Sequence, residues 1–183
     1  IGLTPINNIV DITNYILHEW GQPLHAFDYQ AITGQHVRVK NLADQTPFVT
    51  LDEVERKLSA EDLMICDGDS KAMCIAGVFG GIGSGIKDTT TRVFLESAHF
   101  HAVTVRRTSM RQNLRTDAAT RFEKGTDPNI TIKALLRAAE LITTIAGGKI
   151  ASELIDIYPQ PIERQIVKLR YAQVVRLIGA AIS

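Results

Sequence analysis

The sequence is poor in the features that mark several specialised classes of protein. Two cysteines among 183 residues are too few for a disulfide framework or for a cysteine zinc site. The 20 basic and 20 acidic residues cancel, so bulk charge predicts neither non-specific nucleic-acid binding nor attraction to a membrane. No apolar run reaches the roughly 18 residues that a membrane-spanning helix needs.

The chain has the ordinary composition of a folded domain. Apolar residues make up 45% and charged residues 22%, which is enough to close a core and excludes disorder and collagen. Cys66 and Cys74 lie in apolar surroundings, so we expect buried free thiols and a reducing, cytoplasmic compartment. The chain begins without methionine, shows no targeting segment and ends within an apolar pattern, which favours a piece of a longer protein.

The first helix has the clearest periodicity. Apolar residues with helical spacing follow Thr4, the predicted N-cap, and Gly21 ends the pattern. Thr13 is polar although it lies on the stripe of apolar residues that is expected to face the core. Asn14 lies on the neighbouring flank of the helix. This polar flank either lines a pocket or consists of satisfied surface groups.

Later segments alternate between strand-like and helical patterns. Predicted strands are His36–Lys40, Phe48–Leu51, Arg56–Leu58, Leu63–Cys66, Met73–Ala76, Arg92–Ser97, Ile150–Tyr158 and Ile166–Leu169. Predicted helices are Ala102–Asn113, Asp127 to the Gly147-Gly148 stop, and Tyr171–Ile178. Several strands in a row with helices at both ends predict an α+β fold rather than a βαβ repeat. Pro159-Gln160-Pro161 marks the predicted boundary between a domain of residues 1–160 and a truncated following domain of residues 161–183.

The glycine-rich run from Gly77 to Gly85 matches neither standard nucleotide-binding pattern. Ile86 follows the final glycine where a phosphate loop needs lysine, and no frame gives the glycine spacing of a dinucleotide site. The run instead predicts a sharply turning backbone, in a pocket wall or in a bulged strand. The five histidines form no zinc-binding pattern, so no metal site is predicted.

Two titratable residues are candidates for chemistry. His25 lies in a predicted loop, Gly21–Asp28, and is either a turn histidine or a functional one. Glu96 lies inside a predicted strand, where a carboxylate either faces solvent or binds something. Alternation places Glu96 on the same face as Phe94, which favours burial and hence a partner.

Charge is balanced overall but not locally. Residues 44–69 carry eight acidic against two basic side chains, a net charge of −6, whereas residues 101–125 carry six basic against two acidic ones, a net charge of +4. The basic stretch either contacts a phosphate backbone or forms a solvated face with internal ion pairs. Its arginines include Arg106, Arg107, Arg111 and Arg115.

Six strings spread from Pro5 to Pro128 carry a family resemblance. They are Pro5–Tyr15, Gly21–Asp28, Ala76–Gly81, Leu95–Ala98, Arg115–Ala118 and Arg121–Pro128. In this order they closely resemble the β subunit of bacterial phenylalanine–tRNA ligase. The sequence departs from common family members at Leu24, often methionine, and at Ala119-Thr120, often Ser-His, where the second change bears on the helix start beside the implied site.

The resemblance implies the editing module of that subunit, which hydrolyses tyrosine wrongly esterified to tRNA(Phe). The implied fold is a three-layer α+β arrangement of mixed and antiparallel sheets, with a β-sandwich of unusual topology and flanking helices. The family's α2β2 enzyme attaches phenylalanine to tRNA(Phe) with ATP and Mg²⁺. The implied partners are therefore tRNA(Phe), an α subunit and a second β subunit, with no membrane and no cofactor in this fragment.

The family's editing pocket is carried over position by position. The implied catalytic residues are His25, Thr116 and Asn14, and the implied substrate-binding residues are Glu96, Ala118 and Gly80. Thr13, the polar residue on the inward stripe of the first helix, is a further substrate-binding candidate. In this assignment Glu96 accepts the tyrosine hydroxyl, the two small residues leave room for ring and ester, and the catalytic set orients the ester and a water. The arginines Arg106, Arg107, Arg111 and Arg115 are hypothesised to contact the acceptor end of the tRNA.

Two other functions are weighed against the editing module. The first is a non-catalytic module of the same subunit that binds tRNA or packs against other subunits, with a vestigial pocket. The second is a free-standing editing protein, which the truncated neighbouring domain after Pro161 disfavours.

Overall fold

The computed structural model describes residues 2–163 and 165–180, and the chain divides into two units after Ser152. The described helices are α1 (Asn8–Trp20), α2 (Ala102–Gln112), α3 (Asp117–Glu123), α4 (Thr131–Ile145) and α5 (Tyr171–Ile178). The described strands are β1 (Leu24–Asp28), β2 (Arg38–Asn41), β3 (Pro47–Val49), β4 (Glu55–Lys57), β5 (Leu63–Cys66), β6 (Ala72–Ile75), β7 (Phe79–Gly80) and β8 (Val93–Ser97). The predicted α+β class is confirmed. Among these residues, no helix combines the length and apolar character needed to cross a membrane.

Helix α1 begins later than predicted, because a different residue caps it. The side chain of Asn7, not Thr4, accepts a hydrogen bond from the backbone N–H of Val10 over 2.9 Å. Asparagine and threonine are both good N-caps, so the sequence is compatible with two helix starts, and the prediction of Thr4 is wrong. The predicted end is confirmed, because Gly21 adopts the left-handed conformation with φ of 70°.

The strands pair antiparallel in three separate sheets. Strands β2-β5-β6-β7 form a four-stranded sheet, β3 and β4 form a hairpin, and β1 pairs with β8. The hairpin and the strands β5, β6 and β8 are confirmed predictions. The predicted loop Gly21–Asp28 is wrong, because Leu24–Asp28 forms strand β1. The partner of β1 lies almost 70 residues further along the chain, and such long-range pairing leaves little local pattern.

The ribbon of β1 and β8 separates two hydrophobic cores, because its side chains alternate between two faces. Leu24 and Leu95 lie on one face and pack between helices α1 and α4, against Ile12, Ile16, Ala134 and Ala138. Phe27 and Phe94 lie on the other face and pack into the larger core, which strands β5 and β6 share with helices α2 and α3. The buried, free thiols of Cys66 and Cys74 belong to this larger core, as predicted.

The prediction of strands beyond helix α4 is wrong. Residues 150–158 and 166–169 form neither strand nor helix, and Ile155 and Ile157 are 80% and 82% exposed. Apolar residues alternate there as they do in a strand, but none of the described strands pairs with this segment. Helix Tyr171–Ile178 is confirmed as α5, whereas the assignment of residues 161–183 to a following domain stays a prediction, and residues 164 and 181–183 lie outside the described residues.

Helix α4 also begins later than the Asp127-Pro128 pair that was predicted to open it. Its first residue is Thr131. The Asp127 carboxylate instead accepts hydrogen bonds from the backbone and the side chain of Asn129, each over 2.9 Å. An aspartate that bonds two residues ahead forms a turn of its own, which competes with the helix start.

A fully buried carboxylate joins helix α2 to the segment that precedes strand β5. Asp62 accepts hydrogen bonds from the backbone N–H of Ser59, the Thr108 hydroxyl and the Gln112 side-chain amide, each over 2.9 Å. The guanidinium of Arg111 pairs with the same carboxylate. A buried charge is stable only with such partners, so we expect this cluster to hold α2 in place.

We expect Asp62→Ala to lower the free energy of unfolding by about 3 kcal/mol, since it leaves buried donors without an acceptor. Urea denaturation followed by circular dichroism measures this change. The matched control is Glu61→Gln, which removes an exposed partner of the same Arg111 and should change stability by less than about 1 kcal/mol. Equal losses in both variants would contradict the role given to burial.

Candidate functional site

A cavity of about 250 Å³ lies where the β1–β8 ribbon, the glycine-rich segment and the start of helix α3 meet. All seven residues predicted for a catalytic or substrate-binding role line this cavity, namely Thr13, Asn14, His25, Gly80, Glu96, Thr116 and Ala118. The first and the last of these residues lie more than 100 positions apart in the chain. Folding therefore brings the whole predicted set to one place, while the roles assigned to its members stay predictions.

The pairing of β1 with β8 puts His25 directly opposite Glu96. Directly opposed residues of an antiparallel pair point to the same face, so the imidazole and the carboxyl group approach the cavity together. Strand β7 adds Gly80, where a Cβ atom would lie only 2.9 Å from Cε1 of His25 and from Cδ1 of Leu51. Glycine at this position is what lets the imidazole lie against the backbone of β7.

The His25 ring is held in an apolar setting. It lies edge-on to the ring of Phe27, with centroids 4.3 Å apart. Burial lowers the pKa of His25 from its ordinary value of 6.5 to about 4, because the interior disfavours the charged imidazolium. At neutral pH the ring is therefore uncharged, with one nitrogen available to accept a hydrogen bond or a proton.

The Glu96 carboxyl group is buried and incompletely hydrogen-bonded. Its Oε1 atom has no hydrogen-bond partner among the described residues, and an unpartnered buried polar atom costs about 1–3 kcal/mol. Burial raises the pKa of Glu96 from 4.5 to about 8, so the group is mostly protonated at neutral pH and can both donate and accept. Glu96 as a residue is half-buried, so the expected burial is confirmed for its Oε1 atom, and the lack of a partner for that atom within the described chain points to a ligand.

Thr116 fixes the start of helix α3 against the glycine-rich segment. Its hydroxyl accepts a hydrogen bond from the backbone N–H of Ala119 over 3.0 Å and donates to the carbonyl of Val78 over 2.7 Å. These two bonds place Ala118 on the cavity wall. Because the hydroxyl proton is already used, Thr116 can contact a ligand through its remaining lone pair. The departure at Ala119-Thr120 does not remove this cap.

Sequence reasoning missed several apolar residues of the wall. Leu51, Phe100 and Phe122 line the cavity, and the two phenylalanine rings meet edge-to-face with centroids 5.1 Å apart. A Cβ atom on Gly77 would lie 2.8 Å from Phe100 and 3.0 Å from Phe122. The glycine-rich run was the sequence signal for this wall, because it predicted either a pocket wall or a bulged strand. Gly77 and Gly80 decide for the pocket wall.

The four predicted tRNA-contacting arginines lie outside the cavity lining. Arg111 pairs with Asp62 and Glu61. This agrees with the alternative in which the basic stretch forms internal ion pairs. Arg106, Arg107 and Arg115 are exposed, and no acidic side chain within residues 2–163 and 165–180 forms an ion pair with them. The three unpaired arginines are thus the members of the set that remain available to an anionic partner. In the same residues no group of three or more His, Cys, Asp or Glu side chains could hold a metal ion.

Comparison with known proteins assigns the chain to a family. The family model described as "B3/4 domain" matches residues 1–147. The chain belongs to the B3/4 domain family. It is 56% identical over 182 residues to the phenylalanine–tRNA ligase beta subunit of Porphyromonas gingivalis, 57% identical over 182 residues to that of Bacteroides fragilis, and 43% identical over 183 residues to that of Geobacter sulfurreducens. Each alignment covers 100% of this chain but 22–23% of the relative.

The chain thus spans about a fifth of the length of the curated relatives that it matches. A solved structure, an N-terminal fragment of the phenylalanyl-tRNA synthetase beta subunit from Pyrococcus horikoshii, is similar with a TM-score of 0.45 and 12% sequence identity. The match covers 96% of this chain and 51% of that fragment.

We expect the protonation of Glu96 to make stability depend on pH. Between pH 4.5 and about 8 the native state keeps a proton that the unfolded state releases, so the contribution of Glu96 to stability is fully present below pH 4.5 and is lost as pH rises towards 8. His25 acts in the opposite sense between about pH 4 and 6.5, which leaves the Glu96 effect alone above pH 6.5.

Replacement of Glu96 by glutamine, which does not titrate, should therefore flatten the fall in stability between pH 6.5 and 8. The two slopes should differ by at most about 1.4 kcal/mol per pH unit. Urea denaturation of both proteins at half-unit intervals of pH measures them. Parallel curves would show that the carboxyl group ionises normally.

Proposed function

We propose that this B3/4 domain is the editing module of a phenylalanine–tRNA ligase beta subunit, and that it hydrolyses the ester of tyrosine mischarged on tRNA(Phe). The observation that carries the proposal is the buried, unpartnered Oε1 of Glu96 in a cavity that His25 also lines. The relatives, which are phenylalanine–tRNA ligase beta subunits, support the assignment of the parent enzyme. The geometry supports a pocket that takes an aromatic ring with a polar substituent.

The proposed selectivity follows from the cost of an unpaired buried group. Tyrosine and phenylalanine differ by one hydroxyl, and an apolar pocket rejects an added hydroxyl by only roughly 10²-fold. A pocket that hydrogen-bonds the hydroxyl can discriminate by a factor on the order of 10⁴–10⁵, because phenylalanine leaves the polar group unsatisfied. Glu96 is the residue to which we give this role, since its carboxyl group lacks a partner within the described chain.

The proposed reaction needs only water and positioning. Water adds to the ester carbonyl, the bond to the terminal ribose oxygen breaks, and that oxygen takes up the proton which the water loses. The products are free tyrosine and uncharged tRNA. The uncharged His25 ring can accept the proton from water or hold the water by a hydrogen bond. The side-chain amide of Asn14 can donate to the ester carbonyl, and the free lone pair of Thr116 can accept a hydrogen bond from the water. Placing reactants in this way removes much of the entropic barrier.

The synthetic reaction is proposed to belong to other parts of the parent enzyme. Attachment of phenylalanine with ATP and Mg²⁺ would take place on an α subunit in a cytoplasmic α2β2 assembly with a second β subunit. In this proposal the domain described here receives tRNA(Phe) whose end already carries an amino acid. Its own reaction needs no cofactor.

We expect the domain to deacylate tyrosyl-tRNA(Phe) and to leave phenylalanyl-tRNA(Phe) intact. His25→Ala should lower the rate by roughly 10²-fold or more, since the water loses its acceptor. Glu96→Ala should reduce the preference for the tyrosyl ester, because no side-chain group is left to pair with the hydroxyl. Release of radiolabelled amino acid from the two esters measures both effects.

The matched control for His25→Ala is His36→Ala, which changes an exposed histidine outside the cavity lining and should leave the rate unchanged. Wild-type rate and selectivity in both His25→Ala and Glu96→Ala would refute the editing function. Binding of tRNA with no deacylation of either ester would favour the alternative, a non-catalytic tRNA-binding module with a vestigial pocket.

We further propose that the exposed, unpaired arginines of α2 and the α2–α3 connection contact the acceptor end of the tRNA. Arg115→Gln should make the slope of log binding constant against log salt less negative by about 1, since each phosphate contact releases counterions. The control is Arg137→Gln on α4, where the guanidinium already pairs with Glu140. An unchanged slope for Arg115→Gln, alone and combined with Arg107→Gln, would contradict this assignment.

A further inference from the structure

An exposed apolar surface continues from the wall of the cavity onto the outside of the domain. Thr50 pairs antiparallel with Gly81, which sets Leu51 opposite Gly80 and Val49 opposite Ile82. Two backbone hydrogen bonds support this register, from the N–H of Leu51 to the carbonyl of Gly80 over 3.0 Å and from the N–H of Ile82 to the carbonyl of Val49 over 3.2 Å.

The alternation of strands assigns these residues to two faces. Thr50 and Gly81 are buried and face the core, where a Cβ atom on Gly81 would meet Phe48 at 2.6 Å. The neighbouring positions therefore face the other way, and Gly80, one of them, lines the cavity. Val49, Leu51 and Ile82 share this outward face and form what we call the rim patch.

The rim patch is apolar but not buried. Val49, Leu51 and Ile82 are 37%, 45% and 46% exposed, although branched apolar residues of this size usually lie in a core. Val49 and Leu51 lie about 7 Å apart along their strand, and the neighbouring strand lies about 5 Å away. Gly85 continues the surface without a side chain, since a Cβ atom there would lie 3.4 Å from Leu51. The result is a small apolar surface that adjoins the cavity at Leu51.

We infer that the rim patch is a subsite for the terminal nucleobase of the substrate RNA. This inference rests on the proposed function. In an aminoacyl ester the carbonyl carbon is joined to the terminal ribose, so a side chain inside the cavity leaves the attached base just outside it. Leu51 belongs to both surfaces, which makes the rim patch continuous with the cavity. Enzymes that act on extruded bases hold them between apolar or aromatic side chains.

The charges around the rim patch favour a base over a phosphate group. The turn that carries Leu51 also carries Asp52 and Glu53, both exposed. Asp52 pairs with Arg56 over 2.7 Å, whereas no ion pair within the described residues engages Glu53. A phosphate group beside this turn would meet a like charge, while an uncharged base would not. The unpaired arginines lie elsewhere, on α2 and before α3.

The subsite can be tested by binding, separately from hydrolysis. Two non-hydrolysable probes differ only in the nucleoside, namely 3′-tyrosylamino-3′-deoxyadenosine and tyrosine amide, and calorimetry measures the affinity of this chain for each. The adenosine probe should bind at least tenfold more tightly. Ile82→Ala should weaken the adenosine probe about tenfold, in the range of base stacking, and leave the affinity for tyrosine amide unchanged. Ile82 does not line the cavity itself.

The matched control is Val39→Ala, which truncates a 56% exposed residue of β2 and should alter neither affinity. Equal affinities of the wild-type chain for the two probes would overturn the subsite, as would an Ile82→Ala variant that weakens both probes equally. A failure of the editing function shows itself differently, as intact tyrosyl-tRNA in the deacylation assay. The calorimetric comparison decides on the rim patch in either case.

Discussion

The antiparallel pairing of β1 with β8 is the interaction on which the site depends. The ribbon brings a segment near the start of the chain against one from its middle, with His25 and Glu96 in register. One face of the ribbon is buried against α1 and α4, and the other lines the larger core and the cavity. A slip of one residue would turn His25 away from the cavity and expose Leu24 and Ala26 to it. The apolar residues that fix the register of the two strands therefore also fix the positions of His25 and Glu96.

The interior around this ribbon shifts both titratable groups towards their uncharged forms. Burial lowers the pKa of His25 to about 4 and raises that of Glu96 to about 8, so at neutral pH neither carries a full charge. For the proposed reaction this is useful, since a neutral imidazole can accept a proton and a neutral carboxyl group can pair with a phenolic hydroxyl in either direction. The same burial that costs stability thus prepares the groups for binding.

Part of the fold and of the site could be predicted because the relevant signals are local. The stop of α1 at Gly21, the hairpin of β3 and β4, and the facing of Glu96 with Phe94 all follow from residues that lie close in sequence. Strand β1 was mistaken for a loop because its partner is distant in the chain, and residues 150–158 show that alternation alone does not make a strand. Family resemblance grouped six of the seven cavity residues, and the helix pattern added Thr13, whereas spacing by itself left His25 either a turn histidine or a functional one.

The contact between Gly80 and His25 has a consequence for how such chains can change over time. The imidazole occupies the space of a methyl group at position 80, where a Cβ atom would lie 2.9 Å from it. Any replacement of the glycine must therefore be accompanied by a smaller or relocated side chain at position 25. The two positions are 55 residues apart in the chain, yet the space at one depends on the side chain at the other, so substitutions at them are not independent.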